Sequence, residues 1–331
     1  MNYKEIFRRF SKLNILIIGD VMVDSYMWGK VERISPEAPV PVCTITKKEN
    51  RLGGAANVAL NIAAMGAEPV LCSVVGDDVN GKTLKSLMKK QLLSTDGIIF
   101  SKTRLTTTKT RILSGSSQML RIDEETDVPV NSEEEDIFLK KIFEIIAKKR
   151  IDTVIFQDYD KGVITKNIIR SVVNKLKQMN IPVAVDPKKR NFENYQGVTL
   201  FKPNLKELKE GLKIDNFEQI NPVTLRKAAD ILHKTYKIEK VFITLSDKGV
   251  FIIDYAQQPI KHFLLPAHLR TIADVSGAGD SVISVAALCL AIGMNAEDIA
   301  RISNMAGGLV CESIGVVPVN KDILFKELNV Q

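Results

Sequence analysis

The sequence predicts an α/β fold, a doubly wound and mostly parallel sheet with a small β lid. Three observations carry this. Short apolar runs alternate with helical patterns along nearly all of the 331 residues, the mark of βαβ units. Residues 38–46 alternate with prolines, which suits an edge strand and not a central one. Residues 106–123 read as a hairpin turning at 114–117. The last two could form a second sheet set off from the first, either a lid or an ordinary edge hairpin. One domain over 1–331 is expected, with the lid at about 38–46 and 106–123.

In order, the strand candidates are 15–18, 70–75, 154–156, 183–185, 200–201, 241–244 and 250–253. Helical patterns lie near 55–65, 81–92, 133–149, 167–179, 222–236, 277–292 and 295–313. A ligand crevice is expected beyond the carboxyl ends of such strands. The composition, 45% hydrophobic and 26% charged, excludes disorder, collagen and a disulfide scaffold. Cys43, Cys72, Cys289 and Cys311 form no C-x-x-C pair, so reduced thiols in a cytoplasm are expected. The formal charge of +7 fits an anionic metabolite. Basic residues are scattered and not interleaved with aromatics, which argues against nucleic acid. The apolar runs at 13–18 and 282–292 are too short for a signal segment or for the ~20 residues of a membrane helix.

Residues 76–83, G-D-D-V-N-G-K-T, satisfy the Walker A expression between a strand and a helix. Asp158 could then hold Mg²⁺. Against that reading, Asp77 and Asp78 would face a triphosphate, and a plain strand-to-helix turn explains the segment. Residues 274–280, D-V-S-G-A-G-D, are the stronger phosphate site. Gly277, Ala278 and Gly279 would present N–H groups at a helix start, where anions bind, and Asp280 could accept a hydroxyl proton. A Ser276 cap with a tight turn explains them equally. Gly53, Gly54 and Asn57 open another helix and could admit a polyhydroxyl substrate, or simply start the helix. Asp20 and Asp24 follow the first strand, as sugar ligands or as solvated acids. Asn204 and Glu207 share a helix face and could hold Mg²⁺ through water, or form a capping box. His233, His262 and His268 have no metal spacing.

Together and in this order, these motifs resemble the ribokinase-like (PfkB) carbohydrate kinases. Residues 53–57 look like that family's first signature, 274–280 like its second and 204–207 like its N-x-x-E motif. The second signature departs at Val275-Ser276, where threonines are frequent. The stretches 19–24, 33–42, 158–162 and 185–188 look like the kinase half of the heptose-phosphate kinase/adenylyltransferase proteins. The resemblance runs over roughly residues 13–325. It implies ATP-dependent phosphorylation of D-glycero-β-D-manno-heptose 7-phosphate at the anomeric hydroxyl, for ADP-heptose and lipopolysaccharide synthesis. No H-x-G-H motif occurs, so a stand-alone kinase is expected.

Carried over, the resemblance makes Asp280 the general base and Gly277–Gly279 the anion hole. Asp24, Gly53, Gly54 and Asn57 would bind sugar. Asn204 and Glu207 would organise Mg²⁺ and ATP phosphates. Thr244, Ser246, Gly249 and Asn304 would line the nucleotide site. The acid matching Asp274 can help bind a monovalent cation in relatives, which places K⁺ beside ATP and Mg²⁺ among the cofactors to consider. Arg33, Lys109, Arg111, Lys161 and Lys188 fall in the distinctive segments and are candidates for the 7-phosphate. A cytoplasmic homodimer paired through its lids is expected. The alternatives are another sugar or nucleoside kinase, a P-loop NTPase using Lys82, and a non-catalytic sugar-binding regulator.

Overall fold

The structure, a computed structural model, describes residues 2–115, 117–214, 220–268 and 270–330. Residue 116, in the turn expected at 114–117, lies outside them. A nine-stranded sheet forms the centre. Its strands are β1 (Asn14–Gly19), β4 (Glu68–Gly76), β5 (Gly97–Ser101), β8 (Thr153–Gln157), β9 (Val183–Asp186), β10 (Leu200–Phe201), β11 (Lys240–Thr244), β12 (Val250–Asp254) and β13 (Lys261–Leu265). They lie in the order β13-β12-β11-β10-β9-β8-β1-β4-β5. The seven from β11 to β5 are parallel, and β12 and β13 extend the sheet antiparallel. The expected doubly wound, mostly parallel α/β sheet is therefore present.

Helices cover both faces, so the central strands are apolar on both sides. Against one face lie α1 (Tyr3–Phe10), α2 (Ala55–Ala64), α3 (Val79–Lys90), α8 (Ala278–Ala291), α9 (Ala296–Val310) and α10 (Lys321–Val330). Against the other lie α4 (Ser132–Lys148), α5 (Lys166–Gln178), α6 (Leu205–Leu212) and α7 (Pro222–Tyr236). Local chemistry starts several of them. Asn131 and Glu134 form a capping box on α4, and Asn221 caps α7 ahead of Pro222. Helix α8 is buried almost all round, as its small apolar residues require.

Strand order decides where a ligand can bind. From β1 the chain moves through β4 to the edge at β5, then returns on the other side of β1 as β8. The carboxyl ends of β1 and β8 thus flank the switch point of the sheet. Asp20 follows β1 there, and Gln157, Asp158 and Tyr159 end and follow β8.

A second sheet, in the order β3-β2-β6-β7, stands apart from the first. It comprises β2 (Val21–Ile34), β3 (Pro41–Gly54), β6 (Thr108–Ser114) and β7 (Ser117–Glu124). It is larger than the two segments read from the sequence. The ladder between β2 and β3 slips at Trp28/Gly29 and at Val31/Arg33. Each slip breaks the two-residue period by which a strand is recognised. Asp24 and Arg33 both lie in β2. Strands β5 and β13 and helices α1 and α10 also lacked a pattern strong enough to mark them. The terminal helices depend on each other, with Phe7 edge-on to Phe325 at 5.8 Å.

Leu288 of α8 is fully buried among the residues of the first face. Leu288→Ala is expected to cost about 2–5 kcal/mol in urea unfolding, the range for a buried leucine truncation. A loss below ~1 kcal/mol would mean that α8 is not the packed centre of this face.

Candidate active site

A cavity of about 680 Å³ opens at the carboxyl ends of β9 to β11 and the N-terminus of α8. Asn204, Glu207, Thr244, Ser246, Gly249, Gly277, Ala278, Gly279, Asp280 and Asn304 all line it, as does Lys188. The strands deliver these residues by ending there. Thr244 closes β11 and Asn204 caps α6 immediately after β10. Gly249, at φ +88°, passes so near Leu265 that a Cβ would lie 2.0 Å from its carbonyl oxygen, so the loop after β11 requires glycine. Asn304 donates to the Pro266 carbonyl at 2.8 Å.

Gly277, at φ +82°, is the N-cap of α8. The Ala278 N–H turns back to the Val275 carbonyl at 3.3 Å. The N–H groups of Gly277, Gly279 and Asp280 have no hydrogen-bond partner among the described residues, which is the state of an anion-binding helix start. A Cβ on Gly279 would meet nothing closer than the Lys202 ammonium at 3.8 Å. The neighbouring side chains therefore leave room for a Cβ there.

Asp280 is 3% exposed and accepts from three side chains. Asn57 Nδ2 donates to Oδ2 at 2.8 Å, and Gln157 Nε2 and Tyr159 OH donate to Oδ1 at 3.1 and 2.6 Å. Burial pushes its carboxyl up to about 6, against the lowering effect of Asn57 and Tyr159. A carboxylate of that basicity suits proton abstraction near neutrality. Tyr159 is itself held by Asp20, whose buried carboxylate accepts the backbone N–H groups of Tyr159, Lys161 and Val163 at 2.8, 3.2 and 3.0 Å.

Beside Asp280 lie two ion pairs. Lys202, 2% exposed, meets Asp186 at 3.0 Å, and Lys188 pairs with Glu207. Asn204 and Glu207 form the capping box in full, so both readings of this motif hold, since the box is part of the cavity wall. Burial and the Asp186 charge raise the Glu207 carboxyl. The cavity wall as a whole carries Asp186, Glu207, Asp247 and Asp280 against Lys188, Lys202, Lys206, Lys248 and Arg270. The oxygen donors of Asn204 and Glu207 fit Mg²⁺ that would arrive with phosphate and water, with Glu207 as the residue that would hold it. Among the described residues no group of three His, Cys, Asp or Glu could cage a metal. For Asp274, burial is outweighed by the Ser276 and Gly315 donors, which hold its carboxyl low.

The remaining candidates lie elsewhere. Asp24 is ion-paired with Arg111 on the second sheet, and a Cβ on Gly53 would lie 2.0 Å from the Asp24 carboxylate. Gly54, at φ +60°, caps α2. Lys109 and Lys161 both pair with Glu125, at 3.0 and 2.8 Å. Arg33 is exposed in β2. Sequence reasoning gave no role to Gln157, Tyr159, Asp186 or Lys202. Their one legible signal is position, because each ends or follows a strand at its carboxyl end.

The Walker-like turn is outside the cavity. Asp78 caps α3 through Gly81 N–H at 2.6 Å and accepts Thr106 N–H at 2.8 Å. Lys82 is exposed and 3.4 Å from Asp77. Lys82→Ala is therefore expected to bind ATP as the parent chain does in calorimetry. A tenfold loss would return this turn to the site.

The pfkB family carbohydrate kinase model matches residues 12–322. The chain is 38% identical over 320 residues to the bifunctional protein HldE of Pelobacter propionicus, covering 96% of this chain and 63% of that protein. It is 41% identical over 313 residues to HldE of Campylobacter jejuni subsp. jejuni serotype O:6, covering 94% and 64%. The chain thus spans less than two thirds of the length of these relatives. The fold superposes on phosphofructokinase-2 of Escherichia coli in complex with substrates and products, with TM-score 0.78, 20% identity and coverage of 95% and 97%. It also superposes on Arabidopsis thaliana ribokinase complexed with ribose and ATP, with TM-score 0.69, 17% identity and coverage of 96% and 98%. With the glycine-capped helix, the buried acid and a family match over nearly its whole length, this chain belongs to the pfkB family of carbohydrate kinases.

Proposed function

We propose that the chain transfers the γ-phosphoryl group of ATP to the anomeric hydroxyl of D-glycero-β-D-manno-heptose 7-phosphate, giving the 1,7-bisphosphate for ADP-heptose and lipopolysaccharide core synthesis. The observation that carries the reaction is Asp280, a buried carboxylate at the N-terminus of α8 beside unpartnered N–H groups. The substrate rests on the 33–42 stretch and on the likeness to the two HldE proteins.

ATP lies along the cavity, with its base toward Asn304 and its phosphates toward Asn204, Lys202 and the start of α8. The acceptor hydroxyl stands against Asp280. As its oxygen attacks phosphorus, Asp280 takes its proton, and the Gly277 and Gly279 N–H groups meet the charge on the phosphoryl oxygens. Mg²⁺ held with the phosphates at Glu207 would neutralise part of that charge. The heptose lies between Asp280 and the second sheet, within reach of Asp24, Gly53 and Arg111. Arg111, Lys109 and Lys161 form the basic side for the 7-phosphate. Lys188, committed to Glu207, serves the nucleotide phosphates instead.

The second sheet acts as a lid that excludes water from the transfer. One of its ties to the core is Tyr26, whose hydroxyl accepts the Val316 N–H at 3.2 Å, and Arg51 donates to the Ile314 carbonyl beside it at 3.2 Å. Gly315, next in line, donates to Asp274, so the lid and the anion loop share one anchor. Ile34, Met119, Leu120 and Ile122 of this sheet are exposed, which supports pairing of lids in a homodimer. Among the described residues no helix is long and apolar enough to cross a membrane, which is in keeping with a reaction in the cytoplasm.

The first test is ADP release with the heptose 7-phosphate, with ³¹P NMR of the product. A new anomeric phosphate resonance is expected. No turnover from folded protein with Mg²⁺ and K⁺ present, but turnover of another sugar, would discard the substrate and keep the kinase. Asp280→Asn is expected to lower turnover by about 10²–10⁴-fold while sparing ATP binding, and turnover like the parent's would end its role as base. The carboxyl is raised from 3.8 to about 6, and the base must be ionised. Turnover is therefore expected to be full above that pH and to fall as pH drops through about 6. A profile flat down to pH 5 would contradict the assignment.

A further inference from the structure

We propose that Tyr159 and Gln157 make Asp280 a one-sided base. They fill both acceptor positions of Oδ1, so the acceptor hydroxyl gives its proton to Oδ2. The inference rests on the reading of Asp280 as the base and goes beyond it, by assigning the reacting oxygen and a positioning role to Tyr159.

The count of lone pairs carries it. A carboxylate offers about four acceptor positions, two on each oxygen. Oδ1 receives Gln157 at 3.1 Å and Tyr159 at 2.6 Å and is full. Among the described residues Oδ2 receives only Asn57, at 2.8 Å, and keeps one position. Neither donor on Oδ1 is free to leave. The Gln157 amide also donates to Asp186 at 3.2 Å, so its NH₂ is wedged between two carboxylates and cannot flip to present oxygen. The Tyr159 phenol is half-buried on the cavity wall beside Asp280, and desolvation with the Asp280 charge pushes its ionisation far above the physiological range, so it remains a donor. Its backbone is pinned by Asp20, and Lys188 stands 5.6 Å over its ring. Asn57 is steadied by the Asn61 amide at 3.4 Å from its Oδ1.

The step balances. The bond from the acceptor oxygen to the γ-phosphorus forms, and the bond from that phosphorus to the bridging oxygen of ADP breaks. ADP leaves with the electron pair, and the acceptor's proton resides on Oδ2 until water removes it. The Asn57 donor on Oδ2 and the Tyr159 donor on Oδ1 both favour the ionised carboxylate against its burial. The charged groups that face the Asp280 carboxyl, Asp186 and Lys202, are already paired with each other.

The experiment is Tyr159→Phe, which keeps the ring over which Lys188 stands and removes only the donor. The acid limb of kcat/KM for the sugar is expected to move up by about one pH unit, the size of one lost charge-assisted hydrogen bond. Turnover should persist on the alkaline plateau, and ADP affinity should be unchanged. An unmoved limb overturns the proposal. So does loss of turnover at every pH with ADP binding intact, because the phenol would then touch the reacting atoms. If Tyr159→Phe does not fold by circular dichroism, Gln157→Met removes the other Oδ1 donor and is read by the same criterion. The ¹³C carboxyl resonance of Asp280, identified by its absence in Asp280→Asn, follows the same shift without turnover. It separates failure of this inference from failure of the kinase reading.

Discussion

Three side chains from three separate stretches of chain donate to the Asp280 carboxylate: Asn57 from α2, Gln157 from the end of β8 and Tyr159 from the loop beyond it. The site depends on their meeting. In a buried place a carboxylate without donors is costly, and each hydrogen bond is stronger than in water. The acid therefore locks the start of α8 to the centre of the sheet. Asp20 extends the lock by gathering three backbone N–H groups of the loop that carries Tyr159. Asp158 completes it, accepting from Asn191 at 3.1 Å and Tyr195 at 2.9 Å.

The same constraint shapes the rest of the cavity. Buried lysines persist only when paired, and Lys202 and Lys188 each have a carboxylate. Those pairs put cationic groups beside the helix start, where phosphate oxygens would lie. Across the site, Asp24 and Arg111 neutralise each other on the second sheet.

Much of this was legible. Residues 274–280 announced a glycine-capped helix with an acid in its first turn. Residues 204–207 announced a cap, and the cap forms the cavity wall. The Walker-like turn was marked as misleading by Asp77 and Asp78, and Asp78 is bound to Gly81 and Thr106. What escaped notice had no local pattern. Tyr159 and Asp186 lay in stretches marked by resemblance but had no role of their own, and Lys202 looks like an ordinary polar residue after an apolar run. The slips in β2 hid a long strand, and with it the setting of Asp24 and Arg33. Lys188, grouped with the sugar-phosphate cations by its segment, lines the cavity paired with Glu207.

The sequence by itself determined the alternation of strand and helix, the caps that start α4, α6 and α7, and the glycine turn before α8. All of these act within one helical turn or one pleat, where residue type and spacing suffice. Only the tertiary structure decided which groups meet Asp280. Asn57, Gln157 and Tyr159 lie 223, 123 and 121 residues away along the chain. They converge because β8 returns beside β1 while α2 and α8 pack on the same face. That convergence is set by strand order and burial, which no short spacing records.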